Sequence, residues 1–154
     1  MIGPYVAVCG PGSATEEEER WAEEVGRRLA EAEVIVLCGG LGGVMDAAAR
    51  GAGGGGGTVV GILPGDDRLG ASEHLTVALP TGMGEARNAI IARAADAVIA
   101  VGGEWGTLSE IALARKMGKP VVVLRSWELG PRAQGVTGAS TPAEAVAAVL
   151  ELLR

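Results

Sequence analysis

The chain has 154 residues, enough for one domain with a real core and too few for separate cofactor and substrate domains. It carries 19 acidic against 13 basic side chains, a formal charge of −6, and only 3% aromatic residues, so neither a basic stripe nor a set of base-stacking platforms points to nucleic acid as a partner. No uncharged apolar run approaches the roughly 20 residues that cross a bilayer, and the start, Met1-Ile2-Gly3-Pro4-Tyr5, has neither the basic region nor the cleavage pattern of a secretory leader, so no membrane partner and a cytoplasmic location are expected.

The first segment, Tyr5 to Cys9, is a short continuous apolar run of the kind that fits a strand buried on both faces. A turn, Gly10-Pro11-Gly12-Ser13, follows it. Thr15 then stands as an N-cap before Glu16 to Glu19, and Trp21, Val25 and Leu29 recur at helical spacing. The unit repeats: strand Val34 to Cys38, loop Gly39 to Gly43, helix Val44 to Gly51, strand Thr58 to Leu63. The glycine run 53–57 reads as a flexible turn. Between Pro64 and Pro80 the chain is irregular, with a short strand expected at Leu75 to Ala78. A helix over Gly84 to Ala94, entered from Thr81-Gly82, precedes strand Ala97 to Val101, loop Gly102 to Gly106 and helix Thr107 to Met117. Strand Pro120 to Leu124 and a closing helix, Pro142 to Arg154 capped by Thr141, complete the series. Alternation of buried strands with helices predicts a single α/β domain over residues 1–154, a Rossmann-like three-layer α/β/α fold with a mostly parallel sheet of about six or seven strands.

In such a sheet a ligand lies beyond the carboxyl ends of the strands. Three glycine-rich loops end there, and helix starts offer unpaired amides and a positive dipole end to an anion. The candidate ligand-binding residues are therefore Gly10, Gly12 and Ser13; Gly39, Gly40, Gly42, Gly43 and Met45; and Gly102, Gly103, Gly106 and Thr107. The expected partner is a small phosphate-bearing molecule. The first loop lacks the third glycine of the dinucleotide fingerprint and no Walker lysine is present, which disfavours NAD and ATP. Cys9 and Cys38 fit no zinc spacing and read as small buried hydrophobes on adjacent strands, and His74, the only histidine, reads as a loop residue, so no metal site is expected.

The runs Gly39-Gly40-Leu41-Gly42-Gly43-Val44-Met45, Arg87-Asn88 and Gly102-Gly103-Glu104-Trp105-Gly106-Thr107-Leu108-Ser109-Glu110 resemble the LOG (Lonely Guy) proteins and the molybdenum cofactor carrier proteins, over a span from Val34 to Leu124. The resemblance implies a Rossmann-like fold and adds Gly82, Met83, Arg87 and Asn88 to the ligand-binding candidates. For the LOG branch it implies a nucleoside 5′-monophosphate phosphoribohydrolase with Arg87 and Glu110 as the catalytic pair; for the carrier branch it implies binding of the molybdenum cofactor or a nucleotide without turnover. The label "lysine decarboxylase" attached to such proteins finds no mechanistic support here. Gly102 stands where the LOG motif has proline, Glu104 where it has its second glycine, and Asn88 where a lysine follows the arginine, while Thr81-Gly82-Met83-Gly84 and the tail from Thr107 to Ala114 look closer to the carrier branch. A carboxylate at Glu104 repels an anion unless it turns toward solvent or a partner subunit.

Other readings stand beside these. Glu110 follows Thr107 at capping-box spacing, Arg87 has Glu85 and Asp96 as candidate surface partners, and Trp105 reads equally as core, interface or lid. Apolar helix faces at Ala89 to Ile91 and Ile111 to Leu113 exceed what one sheet needs and predict a homodimer or homotetramer. No cofactor is required by any of these readings; a molybdenum cofactor or nucleotide enters as ligand.

Overall fold

A computed structural model describes residues 2–154. Seven strands form one wholly parallel sheet: β1 (Tyr5–Cys9), β2 (Ile35–Cys38), β3 (Val59–Leu63), β4 (Val77–Pro80), β5 (Ala97–Val101), β6 (Val121–Leu124) and β7 (Val136–Ala139), in the spatial order β4-β3-β2-β1-β5-β6-β7. Five helices connect them: α1 (Glu16–Glu31), α2 (Val44–Gly54), α3 (Arg87–Ala94), α4 (Trp105–Lys116) and α5 (Pro142–Leu152). The chain winds outward from β1 to β4, then returns to lay β5 on the other side of β1. The direction of winding therefore reverses between β1 and β5, where the connecting loops part and leave a crevice.

Two apolar layers hold the sheet. Along β5, Ala97, Ile99 and Val101 enter the layer under α1, α2 and α5, while Val98 and Ala100 enter the layer under α3 and α4. Every residue of β5 is buried, as the unbroken apolar run requires. The same alternation separates the two thiols: Cys9 belongs to the layer beneath α3 and α4 and Cys38 to the opposite one, so neighbouring strands carry them on opposite faces. Both are free and buried.

Helices α1 and α2 approach each other backbone to backbone. A Cβ added at Gly26 would stand 2.1 Å from the Ala48 carbonyl oxygen, and one at Gly51 would stand 1.9 Å from that of Glu23. Only hydrogen fits at either position, and the buried run Ala47, Ala48, Ala49 and Ala52 continues the small-residue contact. Half-buried ion pairs Arg50–Glu23 and Arg50–Asp46, at 3.1 and 3.2 Å, edge the crossing.

Most expected elements are present, with shifted ends. Helix α2 runs on through Gly54 and takes in the first part of the glycine run, α4 begins at Trp105 instead of Thr107, and a 3-10 turn at Gly84–Ala86 leads into α3. The edge strand β4 lies two residues beyond the expected position, and β7 has no counterpart in the sequence reading. No helix among the described residues is long and apolar enough to cross a membrane.

Candidate functional site

The crevice at the carboxyl ends of β1 and β5 is a cavity of about 220 Å³ lined by Gly10, Gly12, Met45, Pro64, Glu85, Arg87, Asn88, Glu104, Gly106, Thr107 and Glu110. The three helix starts near it differ sharply. Helix α1 closes its own end: Glu18 N donates to Thr15 Oγ1 at 3.1 Å and Thr15 N to Glu18 Oε1 at 2.9 Å, with four glutamates in the first turn. The four carboxylates make that start unfavourable for an external anion. Helix α2 starts at Gly43, whose φ of +61° and close approach to the Pro11 carbonyl both demand glycine, and Val44 N donates to Pro11 O at 3.0 Å.

Helix α4 is open. Its N-cap, Glu104, makes no side-chain cap, and Leu108 N is the first amide returned to the helix, to Glu104 O at 3.0 Å. The amides of Trp105, Gly106 and Thr107 precede it at the positive end of the helix. The capping-box reading of Thr107 and Glu110 does not hold, because Thr107 lies inside the first turn and is not its cap.

Buried polar groups converge on the same place. Asn88 and Thr107 are the polar side chains in the buried set, at 7% and 2% exposure, and both line the cavity. Asn88 donates from Nδ2 to Ser109 Oγ at 3.2 Å, but its Oδ1 has no partner, and neither has Thr107 Oγ1. Arg87 spends Nη1 on the carbonyls of Gly39 and Ile62, both at 2.5 Å, tying the ends of β2 and β3 together, and leaves a buried Nε without an acceptor. It forms no ion pair with Glu85 or Asp96 among the described residues; Asp96 instead accepts from Tyr5 N at 2.8 Å. Unpartnered buried polar atoms cost stability unless water or a ligand answers them, and the three residues that carry them here line one cavity.

Three carboxylates offset the single guanidinium. Glu85 and Glu104 are exposed, so water screens them, which answers the repulsion expected of Glu104. Glu110 lies deeper: burial raises its carboxyl to about 7, against the opposing pull of Arg87 and a hydrogen bond with the Cys9 thiol. Burial likewise pushes Arg87 below its ordinary value, opposed by Glu110 and Cys38.

Of the residues singled out in the sequence, the cavity gathers Gly10, Gly12, Met45, Arg87, Asn88, Gly106, Thr107 and Glu110. Ser13, Gly39, Gly40, Gly42, Gly43, Gly82, Met83, Gly102 and Gly103 lie outside its lining. Gly40 packs on Leu63 and Gly61; Gly102, at φ +70°, leaves no room for a Cβ beside the Glu18 carboxyl; and Gly103 packs beneath Trp127. Pro64 and Glu85 complete the wall without having been foreseen, since neither belongs to a motif and only the return of the chain past β3 brings them in.

A reversed-winding parallel sheet with an anion-receptive helix start at its switch point defines a Rossmann-like ligand-binding domain. Residues 3–150 match the SLOG cluster4 family, and the chain belongs to that family, within the LOG and molybdenum cofactor carrier superfamily. It is 44% identical over 141 residues to an uncharacterized protein of Archaeoglobus fulgidus, covering 92% of this chain and 91% of that one. Among solved structures it is similar to the molybdenum cofactor binding protein of Rippkaea orientalis, with 34% identity, a TM-score of 0.93, and coverage of 100% and 99% of the two chains. It is also similar to the molybdenum cofactor carrier protein of Chlamydomonas reinhardtii, with 38% identity, a TM-score of 0.90 and 98% coverage of each chain.

Proposed function

We propose that the protein is a binding protein for a phosphate-bearing ring ligand of the molybdenum cofactor type, held in the cavity between β1 and β5. The observation that carries this reading is that Thr107, Asn88 and Arg87, each with a buried polar atom that has no partner, line one cavity beside the uncapped start of α4. The donor set fits the group. Helix-start amides, the Thr107 hydroxyl and the guanidinium are donors to a phosphate, whereas Asn88 Oδ1 and a deprotonated Glu110 accept from ring N–H groups. The solved relatives bind or carry the molybdenum cofactor, which supports the same class of ligand here.

The residues of this chain bind, orient and shield; the cofactor brings its own redox metal. Thr107 and the α4 amides fix the anionic end, and Asn88, itself held by Ser109, fixes a polar ring edge. Glu110, whose carboxyl burial raises to about 7, lines the same cavity.

A second reading, phosphoribohydrolase activity on nucleoside 5′-monophosphates, has Arg87 and Glu110 in one cavity in its favour. Against it, Asn88 stands where the resemblance puts a lysine after the arginine, and Glu104 where it puts a glycine. The test mixes purified protein with cofactor released from a molybdoenzyme and follows molybdenum and pterin fluorescence through gel filtration, with AMP and N6-substituted AMP as separate incubations. Co-elution with the protein and no free base is expected. Release of base that disappears in Glu110→Ala would establish the hydrolase reading, and absence of co-elution would remove the carrier reading.

A further inference from the structure

Asn88, in the first turn of α3, reaches across to α4, where its Nδ2 donates to Ser109 Oγ at 3.2 Å. Ser109 is exposed and lies outside the cavity lining. Its hydroxyl hydrogen is spent on the Gly106 carbonyl, at 2.7 Å, one turn back along the same helix. Toward Asn88 the Ser109 oxygen can therefore only accept. A side-chain amide has a donor end and an acceptor end of almost equal shape, and its neighbours decide which way it turns. Here Ser109 takes the donor end. Oδ1 is left buried and without a protein partner, on a side chain that is only 7% exposed and lines the cavity.

A buried acceptor without a partner is costly; a guest that brings a donor removes that cost, and one that brings a second acceptor adds to it. The orientation of the amide thus becomes a choice between guests. A pterin ring carries both kinds of group on its pyrimidine edge, an exocyclic amino group as donor and a carbonyl as acceptor. We infer that Ser109 is a positioning residue that holds the Asn88 amide with Oδ1 toward the ligand, so that the site selects a ring edge bearing an amino group. This inference rests on the ligand class proposed above, and goes beyond it in assigning the choice of ring to a residue outside the cavity wall. Glu110, which lines the same wall, favours an amino group whichever way the amide turns when its carboxyl is ionised. The diagnostic quantity is therefore the part of the preference that depends on Ser109.

The test measures by equilibrium dialysis the affinities of two phosphorylated rings: the phosphate ester of hydroxymethylpterin, and its lumazine counterpart, in which a carbonyl oxygen replaces the amino group. It compares the wild-type chain with Ser109→Ala and Ser109→Thr, and takes molybdopterin released from a molybdoenzyme as the reference ligand. Ser109 is exposed, so neither substitution disturbs the core. The wild-type chain is expected to prefer the amino-bearing ring. Ser109→Ala should lower that preference about 2- to 10-fold, the ratio that one neutral hydrogen bond sustains, because the released amide can turn Nδ2 toward the carbonyl. Ser109→Thr, which keeps the hydroxyl, should restore it. The same preference in Ser109→Ala as in the wild-type chain overturns the positioning role while the binding reading stands. Equal affinity of the wild-type chain for the two rings overturns the selection of an amino group, and so does binding of molybdopterin without measurable binding of the amino-bearing ring. Failure of the wild-type chain to bind molybdopterin overturns the ligand class and the inference with it.

Discussion

Arg87, the first residue of α3, and Glu110, in the second turn of α4, face one cavity, and the guanidinium draws the carboxyl toward ionisation while burial pushes it the other way. Burial prevails, and the carboxyl titrates near 7. The folded state then holds a proton that the unfolded chain releases at the ordinary value of 4.5. Stability from this group is fully present below pH 4.5 and is lost as pH rises through 7. The loss amounts to at most about 3 kcal/mol, less where the open cavity keeps part of the carboxyl hydrated. Urea denaturation from pH 5 to pH 8 should show wild-type stability falling over that window and Glu110→Gln flattening it; parallel pH profiles for the two proteins would contradict the assignment.

Thr107→Val should separate stability from binding. The buried hydroxyl has no partner, so replacing it with a methyl group of the same shape relieves a cost of up to about 1 kcal/mol. The same change removes a donor to the ligand's anionic end and should weaken molybdopterin binding about 10-fold, as loss of one hydrogen bond to a charged group does. A raised urea midpoint together with a raised Kd is the expected pair of results. A destabilised variant would mean that the hydroxyl has an internal partner after all.

The crossing of α1 and α2 predicts a severe local intolerance. Gly26→Ala or Gly51→Ala drives a methyl group into a carbonyl oxygen, and the helices must part. Overpacking of this kind costs about 1–3 kcal/mol, which outweighs the gain of a few tenths to about 1 kcal/mol that alanine brings to a helix interior. Chemical denaturation decides the sign, and a net stabilisation in either variant would refute the close crossing.

Neither thiol should react in the folded protein. Burial raises Cys38 to about 11 and Cys9 well above its ordinary value, so almost no thiolate is present at pH 8. Ellman's reagent should label the native chain only at the rate of unfolding and should find two thiols in urea. Because the sheet stands between them, mild oxidation should yield no internal disulfide, which mass spectrometry of non-reduced peptides can check.

The central strands were legible in the sequence because burial on both faces leaves an unbroken apolar run, as in β1 and β5. The edges were not. Residues Val136–Ala139 include Thr137 and Gly138, both exposed, and carry no periodic signal; their pairing with β6 is a matter of tertiary geometry. Strand β4 was misplaced for the same reason, being largely exposed and closed by Pro80. Within the site, glycine motifs located the loops but not the use of each glycine: Gly40 packs its loop on strand β3, Gly43 packs on the loop after β1, and Gly106 lines the cavity. A one-dimensional reading offers every helix start to an anion equally. It takes the Thr15–Glu18 capping box and the Val44–Pro11 bond to leave α4 as the open one.

The reversal of winding between β1 and β5 has a consequence for how such a protein can change over time. Met45 apart, which belongs to both, the cavity wall is drawn from segments that lie beyond the strands, while both apolar layers are built from the strands and the helix faces packed on them. Substitutions at Glu104 and Gly106, exposed and in the wall, can therefore recast what the protein holds without touching what keeps it folded, and one scaffold can serve many guests.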